Sequence, residues 1–442
     1  MARKKPTPSL DPLTSLLPRD HIEAEASRFG VFRRKPRKID LYLLVWTLIL
    51  GLPKGPKRTL DGLRVAYEEA TGQRLARSSF YTRLNKELAK LMKSLVVSTL
   101  ETCQAGYGLP GGFLAGFVDV LALDASVLSL HDLLATPFAA TRTNHTKAAA
   151  KLHMVMSVLS HTPAKVKLSA ERVGDTIPWK RMGKWVEGCL LLFDLGYYEF
   201  HLFDRIEQNK GFFLSRAKSN FNQKILSTNR AWRGRAVPVV GERLKDVLPR
   251  LERGVLDVNV EVSFNKRNYK GKQTRKKGKQ TRKTRAFRLV AVKNEETGKY
   301  HVYITNLPPD RLSAEDITRT YAVRWQVELF FKMMKSYMCL HDLPSSKRHI
   351  VEILIWSSVL LSIVSGRFFR EIRRAVSRDR HIPLLRWGRV FTRSARDLLR
   401  LVARPDEQRA KEVLDLIIHE APDPNRRRAK RSLQEVPYPL AA

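Results

Sequence analysis

Acidic residues are scarce in this chain: 43 Asp and Glu stand against 81 Lys and Arg in 442 residues, a formal net charge of +38. An excess of that size repels itself unless a polyanion neutralises it, which points to nucleic acid or an anionic membrane. Long apolar runs are missing too. The longest, 41–52 and 353–364, fall short of the roughly 20 residues a bilayer demands, so both read as buried helices and no membrane partner is expected. The opening segment breaks every apolar stretch with proline or charge, so no secretory signal is read there, and a cytoplasmic, nucleoid-associated location is expected. Cysteine is rarer still. Cys103, Cys189 and Cys339 are too scattered for a metal knuckle and odd in number, which suits a reducing compartment and core positions. The rest is ordinary globular composition, 43% hydrophobic and 28% charged, which excludes a disordered chain or a disulfide mini-scaffold. The length suggests two or three domains of about 150 residues each.

Residues 1–110 carry helical periodicity with Pro and Gly only at joints, and read as an all-α N-terminal DNA-binding domain. Within it, LARSSFYTRLNKELAKLMKSL predicts one helix capped by Ser78, with Arg77, Arg83, Lys86 and Lys90 facing phosphates; a solvated amphipathic face is the alternative. From 111 to 345 the texture becomes short apolar strands alternating with helices: FLAGFVDVLALDAS, AKLHMVMSVLS, AKVKLSA, a helix near Pro178–Glu187, and GCLLLFDLGY. The continuous run Leu190–Phe193 suits a strand buried on both faces in a mixed sheet, and a helix over Glu199–Asn209 leads to the strand FFLSRAK. Residues 222–306 read as a β-rich insertion with its own strands. Inside it, 265–288 holds 12 Lys and Arg and no acid, with GKQTRK twice, and should stay a disordered loop until a polyanion arrives. Residues 346–442 read as a helical basic region; 367–404 contains 12 Arg and no Lys, a bias toward forked phosphate contact, and NRRRAKR at 425–431 forms a basic tail.

Two carboxylates close apolar strands, Asp124 in LALDAS and Asp194 in LLLFDLG. Such a group costs desolvation energy unless a cation pairs with it or it faces a cleft, and a metal ion would resolve the cost. The competing reading is a turn former or helix cap. Asp119 is a minor alternative to Asp124, and His153 is either a neighbour of the site or a satisfied core residue. Ser313, with Asp316 three residues on, opens a helix carrying Tyr321, Arg324, Glu328 and Lys335. On one continuous helix these four share a stripe about 60° wide, amid Phe330, Phe331, Met333 and Met334 on other faces. Such a helix is enclosed and its stripe looks into a cleft; the opposite reading is a solvent face with Arg324 and Glu328 paired at i, i+4.

The spacing Tyr321-x2-Arg324-x3-Glu328-x6-Lys335 resembles the Y-R-E-K signature of bacterial insertion-sequence DDE transposases of family four. Asp124-Ala125-Ser126 and Asp194-Leu195-Gly196-Tyr197 are similar to that family's first and second Asp motifs, with Leu195 in place of the common Arg. Lys151-Leu152-His153, Phe213-Leu214-Ser215-Arg216 and Thr305-Asn306-Leu307 extend the resemblance over about residues 110–345. It implies a ribonuclease-H-like α/β fold, a mixed sheet flanked by helices and interrupted by a β-rich insertion. It also implies a triad of Asp124, Asp194 and Glu328 binding two Mg²⁺ ions, with Mn²⁺ an acceptable substitute. Arg324, Tyr321 and Lys335 would hold phosphates near the scissile bond, and Trp232 would either stack on an extruded base, as an insertion-domain aromatic does in some relatives, or pack in a core.

The expected function is a DNA transposase that binds terminal inverted repeats and target DNA, works as a homodimer in a synaptic complex, and cleaves and joins strands without a protein nucleophile. Two alternatives share these residues: a ribonuclease-H-like nuclease or resolvase that cuts without joining, and a catalytically decayed DNA-binding protein of transposase origin.

Overall fold

A computed structural model describes residues 11–32, 39–55, 57–104, 114–141, 146–232, 235–236, 238–265, 282–377 and 380–425. The basic run expected to be disordered falls mostly at 266–281, and the tail at 426–431; both lie outside the described residues.

The chain opens with helices α1 (Asp11–Thr14), α2 (Arg19–Phe29), α3 (Leu41–Leu50), α4 (Leu60–Thr71), α5 (Arg77–Tyr81) and α6 (Lys86–Gln104). Asp40 and Thr59 cap α3 and α4 by accepting from the backbone N–H of Leu43 and Gly62. The helix expected from Ser78 is instead two. Ser78 sits inside the five-residue α5, and Asn85 caps α6 by accepting from Leu88 N at 2.8 Å. A short amide side chain at Asn85 offers the backbone a local partner, which restarts the helix there.

One nine-stranded sheet organises the middle of the chain. Strands β1 (Val120–Ser129), β2 (Ala149–Ser157), β3 (Thr162–Ala170), β4 (Leu190–Phe193), β5 (Phe212–Arg216), β6 (Ile225–Thr228), β9 (Val255–Asn265), β10 (Arg282–Lys293) and β11 (Tyr300–Thr305) lie in the order β3-β2-β1-β4-β5-β11-β10-β9-β6. Pairing is parallel from β1 through β4 to β5 and antiparallel elsewhere. The expected mixed sheet is thus present, and the apolar run Leu190–Phe193 is its fully buried central strand. The strands read as an insertion do not form a sheet of their own: β11 pairs with β5, and β10, β9 and β6 extend the same sheet outward. Only β7 (Ala231–Trp232) and β8 (Arg235–Ala236) stand apart as a two-stranded ribbon, followed by the single-turn helix α8 (Leu244–Val247). The helix expected near Pro178–Glu187 is two 3₁₀ turns, Ile177–Trp179 and Lys184–Val186. Pro178 has no N–H to continue a helix and Gly183 separates the turns, while buried Trp179 and Val186 pin both to the core.

Helix α7 (Phe200–Gln208) covers one sheet face, where Phe203 and Phe213 stack at 4.2 Å among other aromatic rings. The opposite face is covered by α9 (Ala314–Ala322), α10 (Trp325–Tyr337) and the 28-residue α11 (Arg348–Ala375), followed by α12 (Leu384–Ala403) and α13 (Glu407–Glu420). Helix α11 is long and apolar enough to cross a membrane, longer than the apolar run read from the sequence, yet 89% of its most apolar window is buried within the molecule. Gly366 lets it approach the β2–β3 turn, because a Cβ there would collide with the Thr162 methyl. The N-terminal helices share one hydrophobic core with α11 and α12. Arginine secures this junction. Arg58, 3% exposed, donates to the carbonyls of Cys339 and Asp342. Arg396 donates to Leu52 O at 2.6 Å and pairs with Glu69 at 2.8 Å, and Arg404 donates to Thr71 O at 2.6 Å. Part of the arginine read as phosphate-binding is therefore engaged inside the molecule. All three cysteines are buried and free.

Candidate active site

The parallel ladder of β1 and β4 pairs Val120 with Leu190, Leu121 with Leu191 and Ala122 with Leu192, an offset of 70 (190 − 120). The separation of Asp124 and Asp194 is also 70, so the same register carried two residues further sets them side by side and on one face, at about the 4.8 Å spacing of neighbouring strands. Asp194 does stand at a strand end, but Asp124 does not. Strand β1 runs on to Ser129 against β2, while β4 stops at Phe193 and turns away. Asp124 therefore looks into the gap beyond the end of its neighbour, the usual place for a ligand in an open α/β sheet. The cap reading of Asp194 fails: it precedes the 3₁₀ turn Leu195–Tyr197, yet its exposed side chain makes no capping bond.

Their face is the one on which Val120, Ala122, Leu190, Leu192 and Leu214 join the core of α10 and α11. Ser313 caps α9 as expected, accepting from Asp316 N at 3.1 Å. The expected continuous helix, however, is broken. Val323 and Arg324 take i→i−3 bonds to Thr320 and Tyr321, and Gln326 and Val327 repeat the pattern, so a tight turn joins α9 to α10. The uniform stripe computed for one helix does not survive this kink, but the side chains still meet. Arg324 Nη2 donates to Glu328 Oε1 at 2.8 Å, its guanidinium lies 5.7 Å from the Tyr321 ring, and Tyr321 packs on Tyr303 at 5.2 Å. The i, i+4 pair is thus real, with Arg324 only 13% exposed and Glu328 33%. Lys335 lies two turns beyond Glu328, about 10 Å along α10, half-buried and without an ion pair among the described residues.

These groups share one electrostatic neighbourhood. Burial pushes the Asp124 carboxyl up to about 6; the Ala125 N–H and Arg324 oppose the rise, while Glu328 and Asp194 add to it. Burial also raises the Tyr321 phenol, with Asp194 adding and Arg324 and Arg216 opposing. Burial works against the charge on Arg324, but Glu328, Tyr321 and Asp194 hold its pKa above the ordinary value. Among the described residues no three His, Cys, Asp or Glu side chains close into a metal cage, and Glu328 is turned to Arg324. The donor set nonetheless fits a hard divalent cation: carboxylate oxygens only, one of them buried and raised by its acidic neighbours.

Other predicted residues fall elsewhere. Asp119 is buried at the start of β1, accepting from Ser157 Oγ at 2.9 Å and Val120 N at 2.7 Å, and burial raises its carboxyl to about 7. It is satisfied locally and faces away from Asp124. His153 opposes Ala125 across β2, on the other face from Asp124; its Nε2 meets Ser169 at 2.8 Å and burial lowers it to about 4. It is a core histidine. Trp232 lies on the β7–β8 ribbon, and its side chain is outside the described residues. Arg216 was quoted only as part of a motif. The β4–β5 register pairs Phe193 with Ser215, so Arg216 follows beside Asp194, bonded to His301 Nδ1 at 2.9 Å. A separate cleft beneath α7, lined by Thr176, Lys180, Asp204, Gln208, Phe264 and Lys283, contains none of the predicted site residues.

The chain is 21% identical over 369 residues to the transposase for insertion sequence element IS231E of Bacillus thuringiensis subsp. finitimus, covering 79% of this chain and 76% of that one. It is 20% identical over 374 residues to the IS231B transposase of Bacillus thuringiensis subsp. berliner, covering 80% and 78%. The solved piggyBac transposase synaptic complex with hairpin DNA shares its fold, with a TM-score of 0.50 at 14% identity, over 93% of this chain and 86% of that one. With the transposase DDE domain matched at residues 116–364, more than half of its length, the chain belongs to the DDE transposase family and is a DNA transposase of an insertion sequence.

Proposed function

We propose that Asp124, Asp194 and Glu328 are the reacting carboxylates of a two-Mg²⁺ site, and that the protein is a family-four transposase with the Tyr321, Arg324, Glu328, Lys335 signature. The observation that carries this reading is the shared offset of 70, which sets Asp124 beside Asp194 on the face covered by the helix of Glu328. As a DDE transposase the protein depends on a divalent metal. Two such ions supply Lewis-acid activation of the attacking oxygen and stabilisation of the departing one. The chain's own residues do the rest. Arg324 spends Nη2 on Glu328 while its buried Nε has no partner, so it keeps donors for a phosphate oxygen beside the scissile bond. Tyr321, held between Tyr303 and Arg324, positions that phosphate, and Lys335 adds a point charge two turns along the strand's path. No side chain serves as a covalent nucleophile: water cuts the element end, and the freed 3′-OH attacks target DNA.

The N-terminal helices, with Lys86 and Lys90 exposed on α6, bind the terminal inverted repeats, and two protomers pair the element ends in a synaptic dimer on the nucleoid. Trp232 is a stacking surface for an extruded base. The test is Glu328→Gln assayed on element-end DNA and a supercoiled target. Loss of Mg²⁺-dependent cleavage with gel-shift affinity intact is expected; retained cleavage rejects the assignment. Cleavage by the parent chain without joining to the target would favour a resolvase. Non-specific affinity should fall with salt, with a slope of about −0.9 per neutralised phosphate.

A further inference from the structure

The turn that follows β4 buries a hydroxyl it does not use. Tyr197 ends that 3₁₀ turn, is 2% exposed, and sets its ring against Phe193 at 6.1 Å. Its hydroxyl oxygen is buried with no hydrogen-bond partner among the described residues. Native interiors seldom leave such a group unpaired. Its surroundings are acidic: beyond burial, the charges acting on the phenol are those of Asp124, Asp175 and Asp194. Tyr198 supplies the contrast. It is buried with its hydroxyl equally unpartnered, but it packs among Phe200, Phe203 and Phe221, and no carboxylate acts on it.

A phenol O–H is a hydrogen-bond donor, and a carboxylate only accepts. Of the three acids, Asp175 is already answered by Lys151 Nζ at 2.9 Å. Asp124 accepts a single backbone N–H, from Ala125 at 2.8 Å, and Asp194 caps nothing. The open acceptors nearest this donor are thus the two proposed reacting carboxylates.

We propose that Tyr197 is a positioning residue, whose hydroxyl donates into the Asp124–Asp194 pair, directly or through one water, and fixes which of their oxygens stay free for a divalent cation. This rests on the site assignment above. Groups that orient metal ligands in this way are worth about 10–100-fold in metal affinity or activity. The phenylalanine variant keeps the ring and its packing and removes only the donor.

The experiment compares Tyr197→Phe with Tyr198→Phe in the full chain. It measures the Mg²⁺ concentration for half-maximal cleavage, Mg²⁺ binding without DNA by calorimetry, and the melting temperature in EDTA. Tyr197→Phe should need about 10–100-fold more Mg²⁺ and bind it correspondingly more weakly without DNA, while melting in EDTA at or above the parent temperature. Tyr198→Phe should titrate as the parent does. Parental Mg²⁺ affinity in Tyr197→Phe, equal shifts in both variants, or a Tyr197→Phe chain that loses its fold in EDTA would each overturn the proposal. Asp194→Asn separates the two levels: if it still cleaves, the site assignment itself fails, whereas an inactive Asp194→Asn beside a normal Tyr197→Phe removes only the role of Tyr197.

Discussion

Two arginine–carboxylate pairs in this molecule look alike on paper and differ in what they leave over. Arg288 and Asp257, each 3% exposed, meet through two bonds, Nε to Oδ1 at 2.9 Å and Nη2 to Oδ2 at 2.6 Å. The Arg288 Nη1 goes to the carbonyls of Leu307 and Leu312, and Asn229 donates to Asp257 at 2.9 Å. That pair is closed and locks β9 and β10 to the loop entering α9. Arg324 and Glu328 share one bond at 2.8 Å, are exposed at 13% and 33%, and leave the buried Arg324 Nε without a partner. A charge pair that satisfies itself is structure; one that keeps donors and acceptors open beside two further carboxylates has something left to bind.

The sharpest way to break that contrast is Asp257→Ala, which leaves a buried guanidinium unpaired. It should destabilise the chain by about 3–5 kcal/mol in urea denaturation while the cleavage rate per folded molecule holds. A loss under about 1 kcal/mol would show that the closed pair is not a lock. Glu328→Gln should do the reverse, lowering cleavage by at least about 10²-fold with the urea midpoint close to that of the parent. Arg324→Lys keeps the charge and removes the fork. Its cleavage rate should fall by about 10²-fold, and an unchanged rate would reduce Arg324 to an ordinary salt bridge.

The smallest effect concerns Asp124. Its folded-state pKa of about 6 lies above the ordinary 3.8, so the folded chain holds this proton more tightly than the unfolded one. Stability from this group is then fully present below about pH 4 and declines as pH rises through about 6. Asp124→Asn, which cannot ionise, should therefore exceed the parent in stability at pH 7.5 in EDTA by on the order of 1 kcal/mol, with no advantage at pH 4. Melting curves at the two pH values decide it; a difference that does not change with pH contradicts the raised carboxyl.

Much of the fold was legible because local pattern reports local environment. The unbroken Leu190–Phe193 run announced a central strand, and Ser313 with Asp316 announced the start of α9. The candidate residues were legible because a carboxylate ending an apolar strand is costly enough to need a reason. Partners were harder to read. The periodicity of 255–305 marked three strands but not that they would extend the sheet of β4 and β5. The Arg-rich helix α12 looked ready for phosphate, yet Arg396 and Arg404 are spent on the ends of α3 and α4. Nothing local told Asp119 from Asp124, since both are acids in one strand region, and only the Ser157 hydroxyl removes the first from contention.

By itself the chain's order of residues set its charge, the strands and helices of its core, and the acidic and basic groups available for chemistry, since each depends on side-chain type and near-neighbour spacing. Folding in three dimensions alone decided which of those groups meet. The β1–β4 register brings together acids 70 residues apart, the kink at Val323 and Arg324 re-aims a stripe that a straight helix would have kept in line, and arginines either close on internal carbonyls or stay open. Pairings between distant segments are settled by the global packing of the sheet and its helices, and no window of sequence contains that information.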